Sequence, residues 1–164
     1  LVEFLFRGGF VEGYGHRFRA AIGRAGVTPH KREGDEATPA GRLTLERVLY
    51  RADKLRAPAC RVPVEPIGRD DGWCDDPADP AYNKPVKLPY KARHETLWRN
   101  DDLYDVIGVL DWNRAPIIPG RGSAIFLHVA SRDDAPTAGC VALALADLLA
   151  CLAAGMTALE VLKA

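Results

Sequence analysis

Residues 120–149 read GRGSAIFLHVASRDDAPTAGCVALALADLL, and this stretch decides the fold. Its segment 124–129 is a nearly continuous apolar run that ends on His128 and Val129, the pattern of a central strand buried on both faces. Twelve positions after His128, Cys140 follows a Pro-Thr-Ala-Gly turn and precedes a second short apolar run, Val141, Ala142 and Leu143. Residues 144–154 (ALADLLACLAA) then place Leu145, Leu148, Leu149 and Leu152 at i, i+3, i+4 and i+7, which predicts one main helix. Gly155 stands where a C-terminal cap is needed.

Outward from this centre the chain reads as short strands joined by turns. Gly (15) and Pro (12) are both frequent, and helical periodicity is scarce elsewhere. Residues 2–6 and 18–22 are candidate strands, with Gly8, Gly9, Gly13 and Gly15 marking a turn between them. Residues 43–50 alternate imperfectly between apolar and charged positions, residues 103–110 form another buried run, and 157–162 return as a last strand. Residues 63–94 break the pattern: six prolines, several aspartates, Trp73, Tyr82 and Tyr90 with little periodicity. Such a stretch inside a compact domain reads as a lid or binding loop. The expected class is α+β, mainly β, in a single domain over 1–164 with a loop-rich capping segment at about 63–99.

Composition excludes several functions. The chain has 164 residues, with Lys plus Arg and Asp plus Glu at 22 each, so its net charge is zero. Nucleic-acid binding, which draws on a basic excess, is disfavoured. No apolar run approaches the roughly 18 residues that cross a bilayer, so no membrane span is expected. The opening residues lack the form of a signal peptide, being short, without a basic flank, and interrupted by Glu3. The four cysteines, Cys60, Cys74, Cys140 and Cys151, form no C-x-x-C pair, so neither a structural zinc nor any other metal or cofactor is expected.

Chemistry concentrates on His128 and Cys140. A thiol is nucleophilic as thiolate, and a nearby imidazole can take its proton and later return it to a leaving amine. Gly139 permits a tight backbone whose amides could converge on an oxyanion. An activated thiolate of this kind labels well below pH 8. Spacing alone leaves open an inert core thiol and a merely hydrogen-bonded histidine.

The same residues resemble the signature of the YkuD-type L,D-transpeptidases: a His on a strand, here His128, then Thr137-Ala138-Gly139-Cys140, a short strand and a helix. Thr38-Pro39-Ala40-Gly41-Arg42-Leu43 is similar to the family's Thr-Pro-x-Gly-x-Phe hairpin, with Lys31 a few residues before it, and the likeness spans roughly residues 20–162. The resemblance implies a mixed β-sandwich with one main helix after the catalytic cysteine and a long capping loop. It implies that Cys140 attacks a peptidoglycan stem peptide to give an acyl-enzyme, with His128 as base and then acid. A backbone carbonyl near Val129 would orient the imidazole, and N–H groups around Gly139 and Cys140 would hold the oxyanion. An amine of a neighbouring stem would resolve the thioester, forming a 3-3 or 1-3 link to diaminopimelate in the periplasm. A monomer is expected, and carbapenems should acylate Cys140.

This sequence departs from the family pattern at two positions. Ala138 replaces the usual His, and Ala142 stands where Arg or Asn is common. With the short His-to-Cys spacing, these point to a divergent subgroup, the 1-3 crosslinking type. Substrate contacts are expected from Trp73, Asp75, Asp76, Tyr82 and Asn83 in the capping segment, from His94, which could replace the polar group lost at Ala138, and from Arg121, Thr137 and Ala138. Carboxylates there would suit the ammonium of an acceptor diamino acid; the alternative is a solvated loop whose aspartates initiate turns. Two other functions remain: hydrolysis of stem peptides by the same Cys-His machinery, as a carboxypeptidase or endopeptidase, and a non-catalytic peptidoglycan-binding module.

Overall fold

Alternation along the chain determines which face each strand buries. In the computed structural model, which describes residues 3–163, β1 (Glu3–Arg7), β2 (Phe10–Gly13) and β3 (His16–Ala21) form an antiparallel meander. β1 buries Phe4 and Phe6 and exposes Glu3, Leu5 and Arg7. Val2, expected to begin this strand, lies outside the described residues. The early glycines make two tight turns instead of one, with β2 between them. Gly13 belongs to that strand because the Phe4 ring lies 2.7 Å from where a Cβ would sit.

Next come β4 (Val27–Thr28) and β5 (Thr38–Pro39), a small parallel pair, and β6 (Gly41–Tyr50), the longest strand. β7 (Val64–Pro66) adds to β6 in parallel. β8 (Asp71–Cys74), β9 (Pro85–Lys87) and β10 (His94–Thr96) form a separate three-stranded sheet with β8 in the centre. The segment expected to be irregular therefore carries its own sheet. Its strands are three or four residues long, too short for alternation to declare itself, and Pro85 is accommodated at the first position of an edge strand.

β11 (Val106–Leu110), β12 (Phe126–Val129), β13 (Val141–Leu143), α1 (Leu145–Ala153) and β14 (Ala158–Val161) complete the chain. The main sheet runs β11-β12-β13-β3-β2-β1-β14-β6-β7, and β6 also pairs with β11, closing the sandwich on itself. Parallel pairs (β1–β14, β12–β13, β6–β7) mix with antiparallel ones. Closure leaves the short β7 as the edge of the main sheet, and short edges invite little pairing with other chains. The fold is thus α+β, mainly β, with a single helix among the described residues.

Two cores result, divided by β11 and β12. Val106 and Leu110 of β11 and Leu127 and Val129 of β12 point into the larger core with Phe4, Leu43 and α1 residues Leu148 and Leu152. Ile107, Val109 and Phe126 point the other way, into a smaller core with Trp73, Leu97 and Tyr104 beneath the three-stranded sheet. Both faces of these strands are covered, which is why their sequences are continuous apolar runs.

Candidate active site

The same alternation puts His128 on the Phe126 side of β12, facing the three-stranded sheet and not the main core. β12 and β13 are parallel, with His128 opposite Ala142. Cys140, two residues before Ala142, shares its face, so the thiol and the imidazole reach one cavity of about 420 Å³. The small Ala142 leaves this space open beside the imidazole.

His128 is 7% exposed, and its Nδ1 donates to the Val129 carbonyl at 2.9 Å. A carbonyl only accepts, so the bond fixes the proton on Nδ1 and leaves Nε2 as a lone-pair acceptor. Burial pushes the imidazole pKa below its ordinary value, partly opposed by the Val129 carbonyl. The Tyr104 ring packs edge-on against it, with centroids 5.4 Å apart. The Cys140 Sγ donates to the Ala124 carbonyl at 3.2 Å. Burial, and then the nearby charge of Glu95, push this thiol up to about 12. Burial thus disfavours the charged form of both groups, so the resting pair leans to neutral thiol and neutral imidazole. The cause is the dry wall behind Cys140, which packs against the smaller core.

The turn before Cys140 is tied down from both sides. Buried Thr38 accepts from the Gly23 N–H at 2.9 Å and donates to the Gly139 carbonyl at 2.8 Å. Thr137 Oγ1 accepts from the Gly139 N–H at 3.0 Å and donates to the Cys140 carbonyl at 2.7 Å. Gly139 has φ +144, and a Cβ there would lie 2.9 Å from the Ala37 carbonyl oxygen. Glycine is thus required, but its amide is committed to Thr137 and is not the waiting oxyanion donor that was expected.

Residues 6–157 match the model of the L,D-transpeptidase catalytic domain, YkuD. The chain belongs to the YkuD family. Neither the curated proteins nor the solved structures yielded a match. Among the described residues, no helix is long and apolar enough to cross a membrane. No set of three or more His, Cys, Asp or Glu among them could hold a metal ion.

The other residues expected to contact substrate in this YkuD domain divide into two groups. Thr137, Ala138 and Asp75 line the cavity, Ala138 on its exposed rim and Asp75 paired with Arg93. Trp73, Tyr82 and Asn83 do not serve as cleft walls: they are 0%, 2% and 1% exposed. Trp73 packs against Phe126 at 5.1 Å and donates to Asn83 Oδ1, and Tyr82 donates to Glu33. Trp73 thus belongs to the smaller core, and Tyr82 and Asn83 spend their polar atoms on internal hydrogen bonds. Asp76 accepts from the Ala78 N–H in its own turn, the alternative foreseen for it. His94 turns from the cleft, with Nδ1 on the Ala92 carbonyl and its ring against Tyr90. Arg121 lies in a separate surface depression with Trp112 and Ile118.

Several lining residues were not among the expected site residues: Glu33, Glu95, Arg99, Tyr104 and Ser123, and Lys31, which enters the sequence reading only for its place before the hairpin. Glu95 is the neighbour of the named His94, and strand geometry sends adjacent side chains to opposite faces. Buried Lys31 is held by Asp35 at 2.5 Å, Arg99 pairs with Asp101, and Glu33 accepts from Tyr82 and from Ser123. Had β10 been recognised as a strand, its alternation would have exchanged Glu95 for His94.

Proposed function

We propose that the protein is a peptidoglycan L,D-transpeptidase that crosslinks stem peptides through a thioester on Cys140. The observation that carries this reading is the meeting, in one cavity, of a cysteine thiol and a buried imidazole whose Nδ1 is fixed by a backbone carbonyl. A donor carbonyl would dock against Sγ. Nε2 of His128 takes the thiol proton as the S–C bond forms, with the oxyanion held at the Cys140 N–H. Collapse breaks the C–N bond, and the leaving amine carries off the proton from Nε2. The thioester retains the energy of the broken peptide bond, so no ATP is needed. An acceptor amine then attacks the thioester carbonyl, giving its proton to Nε2. The C–S bond breaks and Sγ recovers that proton.

A neutral resting pair suits this sequence, because the proton moves in step with attack and the thiol is protected between turnovers. Both 3-3 and 1-3 links to diaminopimelate fit the chemistry. The short His-to-Cys connection and Gly-Cys-Val-Ala-Leu favour the 1-3 type. A peptidoglycan substrate would put the activity in the periplasm, and carbapenem acylation of Cys140 would follow from the same attack. The test is digestion of purified muropeptides with the wild type and Cys140→Ala, read by mass spectrometry. Dimers formed with release of part of the donor stem, absent from the variant, are expected. Monomers alone would assign a hydrolase, and products identical to those of the variant would overturn the enzymatic reading.

A further inference from the structure

Four carboxylates line the cleft: Glu33, Glu36, Asp75 and Glu95. Three are answered. Glu36 pairs with Arg24, Asp75 pairs with Arg93 at 3.1 Å, and Glu33 accepts two hydroxyl hydrogen bonds, from Tyr82 and Ser123, each at 2.6 Å. Glu95 accepts one, from the Tyr104 hydroxyl at 2.5 Å. The cation nearest in effect, Arg99, is already committed to Asp101 through two hydrogen bonds. A carboxylate has about four acceptor positions, so Glu95 keeps unused capacity at the cavity wall. Its position matters as well: its charge acts on Cys140, and the Tyr104 that it holds packs on His128.

We infer that Glu95 is the ammonium subsite of the cleft: its carboxylate receives the primary ammonium of a diamino substrate, and the arrival of that cation frees the Cys140 thiol to react. Like charges crowd Glu95 from two elements, Asp75 beyond β8 and Glu33 in the segment between β4 and β5, and both oppose its ionisation. An ammonium placed among them relieves this repulsion and also offsets the negative field that adds to burial in holding the sulfur protonated. The site thus couples recognition to reactivity, so the thiol is less reactive in an empty cleft. The identity of the amine as a stem-peptide diamino acid rests on the transpeptidase reading; the electrostatic coupling does not.

The test is the rate at which iodoacetamide, a neutral reagent, labels Cys140, resolved from the other cysteines by peptide mapping. Two probes of equal length are compared, Nα-acetyl-lysine amide and Nα-acetyl-norleucine amide. In the wild type the lysine probe should accelerate labelling severalfold and the norleucine probe should not. Glu95→Gln, whose amide oxygen still accepts the Tyr104 hydroxyl, should label faster than the wild type without any probe and should gain nothing from lysine amide. No acceleration of the wild type, equal acceleration by both probes, or a Glu95→Gln protein that labels no faster overturns the inference. The wild-type comparison stands even where the variant folds poorly. No readout needs turnover, so a wild type that leaves muropeptides uncrosslinked would remove the transpeptidase reading while leaving the Glu95 result intact. Crosslinking by a wild type whose labelling ignores lysine amide would remove Glu95 alone.

Discussion

Single atoms in the cleft determine its pH behaviour. Nδ1 of His128 is committed to the Val129 carbonyl, and burial holds the imidazole pKa below its ordinary value near 6.5. In its proposed role as base the ring acts only when neutral, so the acid limb of kcat/KM for acylation should have its midpoint below that value, measured with a stem-peptide donor across pH. A midpoint above it would mean that the Val129 carbonyl and the charge of Asp101 outweigh burial at His128. Gly139 provides a second test. Replacing it with Ala puts a Cβ 2.9 Å from the Ala37 carbonyl in a left-handed conformation that side chains avoid. Because this glycine directly precedes Cys140, the displacement falls on the proposed nucleophile. Gly139→Ala should lower carbapenem acylation at least about tenfold, since misplacements near 1 Å can cost about a hundredfold.

The elements around the site carry it through a buried amide. Asn83, between β8 and β9, accepts from Trp73 Nε1 and the Ala124 N–H and donates to the Trp112 and Asn113 carbonyls. It joins the three-stranded sheet to the loop whose Ala124 carbonyl receives the Cys140 thiol. Asn83→Ala strands several buried partners, so a loss of about 3 to 4 kcal/mol is expected in denaturant unfolding. Asn83→Asp should cost nearly as much, because a carboxylate cannot donate to two carbonyls. This hub marks the boundary of what the sequence discloses. The runs at 106–110 and 126–129 are legible because burial on both faces leaves only apolar residues, and α1 is legible from its leucine spacing. The placement of Cys140 and His128 in one cavity follows from strand alternation and parallel pairing, once those runs are read as neighbouring strands. The three-stranded sheet is illegible: its strands are too short for periodicity, and its stability comes from Trp73 and Asn83, whose partners are distant in sequence. Residues that look like a binding surface are its core, and Glu95 is hidden beside a more conspicuous histidine.

At the scale of the whole molecule, the closed sandwich must tolerate buried ionisable groups, and two of those in the cleft, His128 and Glu95, act in opposite directions. His128 has a lowered folded-state pKa, so its contribution to stability is complete above the unfolded value near 6.5 and is lost as pH falls from there through the folded value. Glu95 has a raised folded-state pKa, chiefly from burial. Its contribution is complete below the unfolded value near 4.3 and is lost as pH rises through the folded value. At neutral pH Glu95 therefore costs the fold stability, the cost expected of a residue kept for function and not for packing. Comparing the wild type with Glu95→Gln isolates this effect, because His128 titrates in both. The variant should melt at a higher temperature than the wild type at pH 7, and the two curves should converge near pH 4, where the native carboxyl is protonated and differs little from an amide. A variant less stable at pH 7 would mean that the Tyr104 hydrogen bond outweighs burial and repulsion. A constant difference across pH would show that the carboxyl does not titrate with folding. Lysine amide should raise the melting temperature of the wild type at pH 7 and leave that of Glu95→Gln unchanged, since a ligand stabilises only the folded form that binds it.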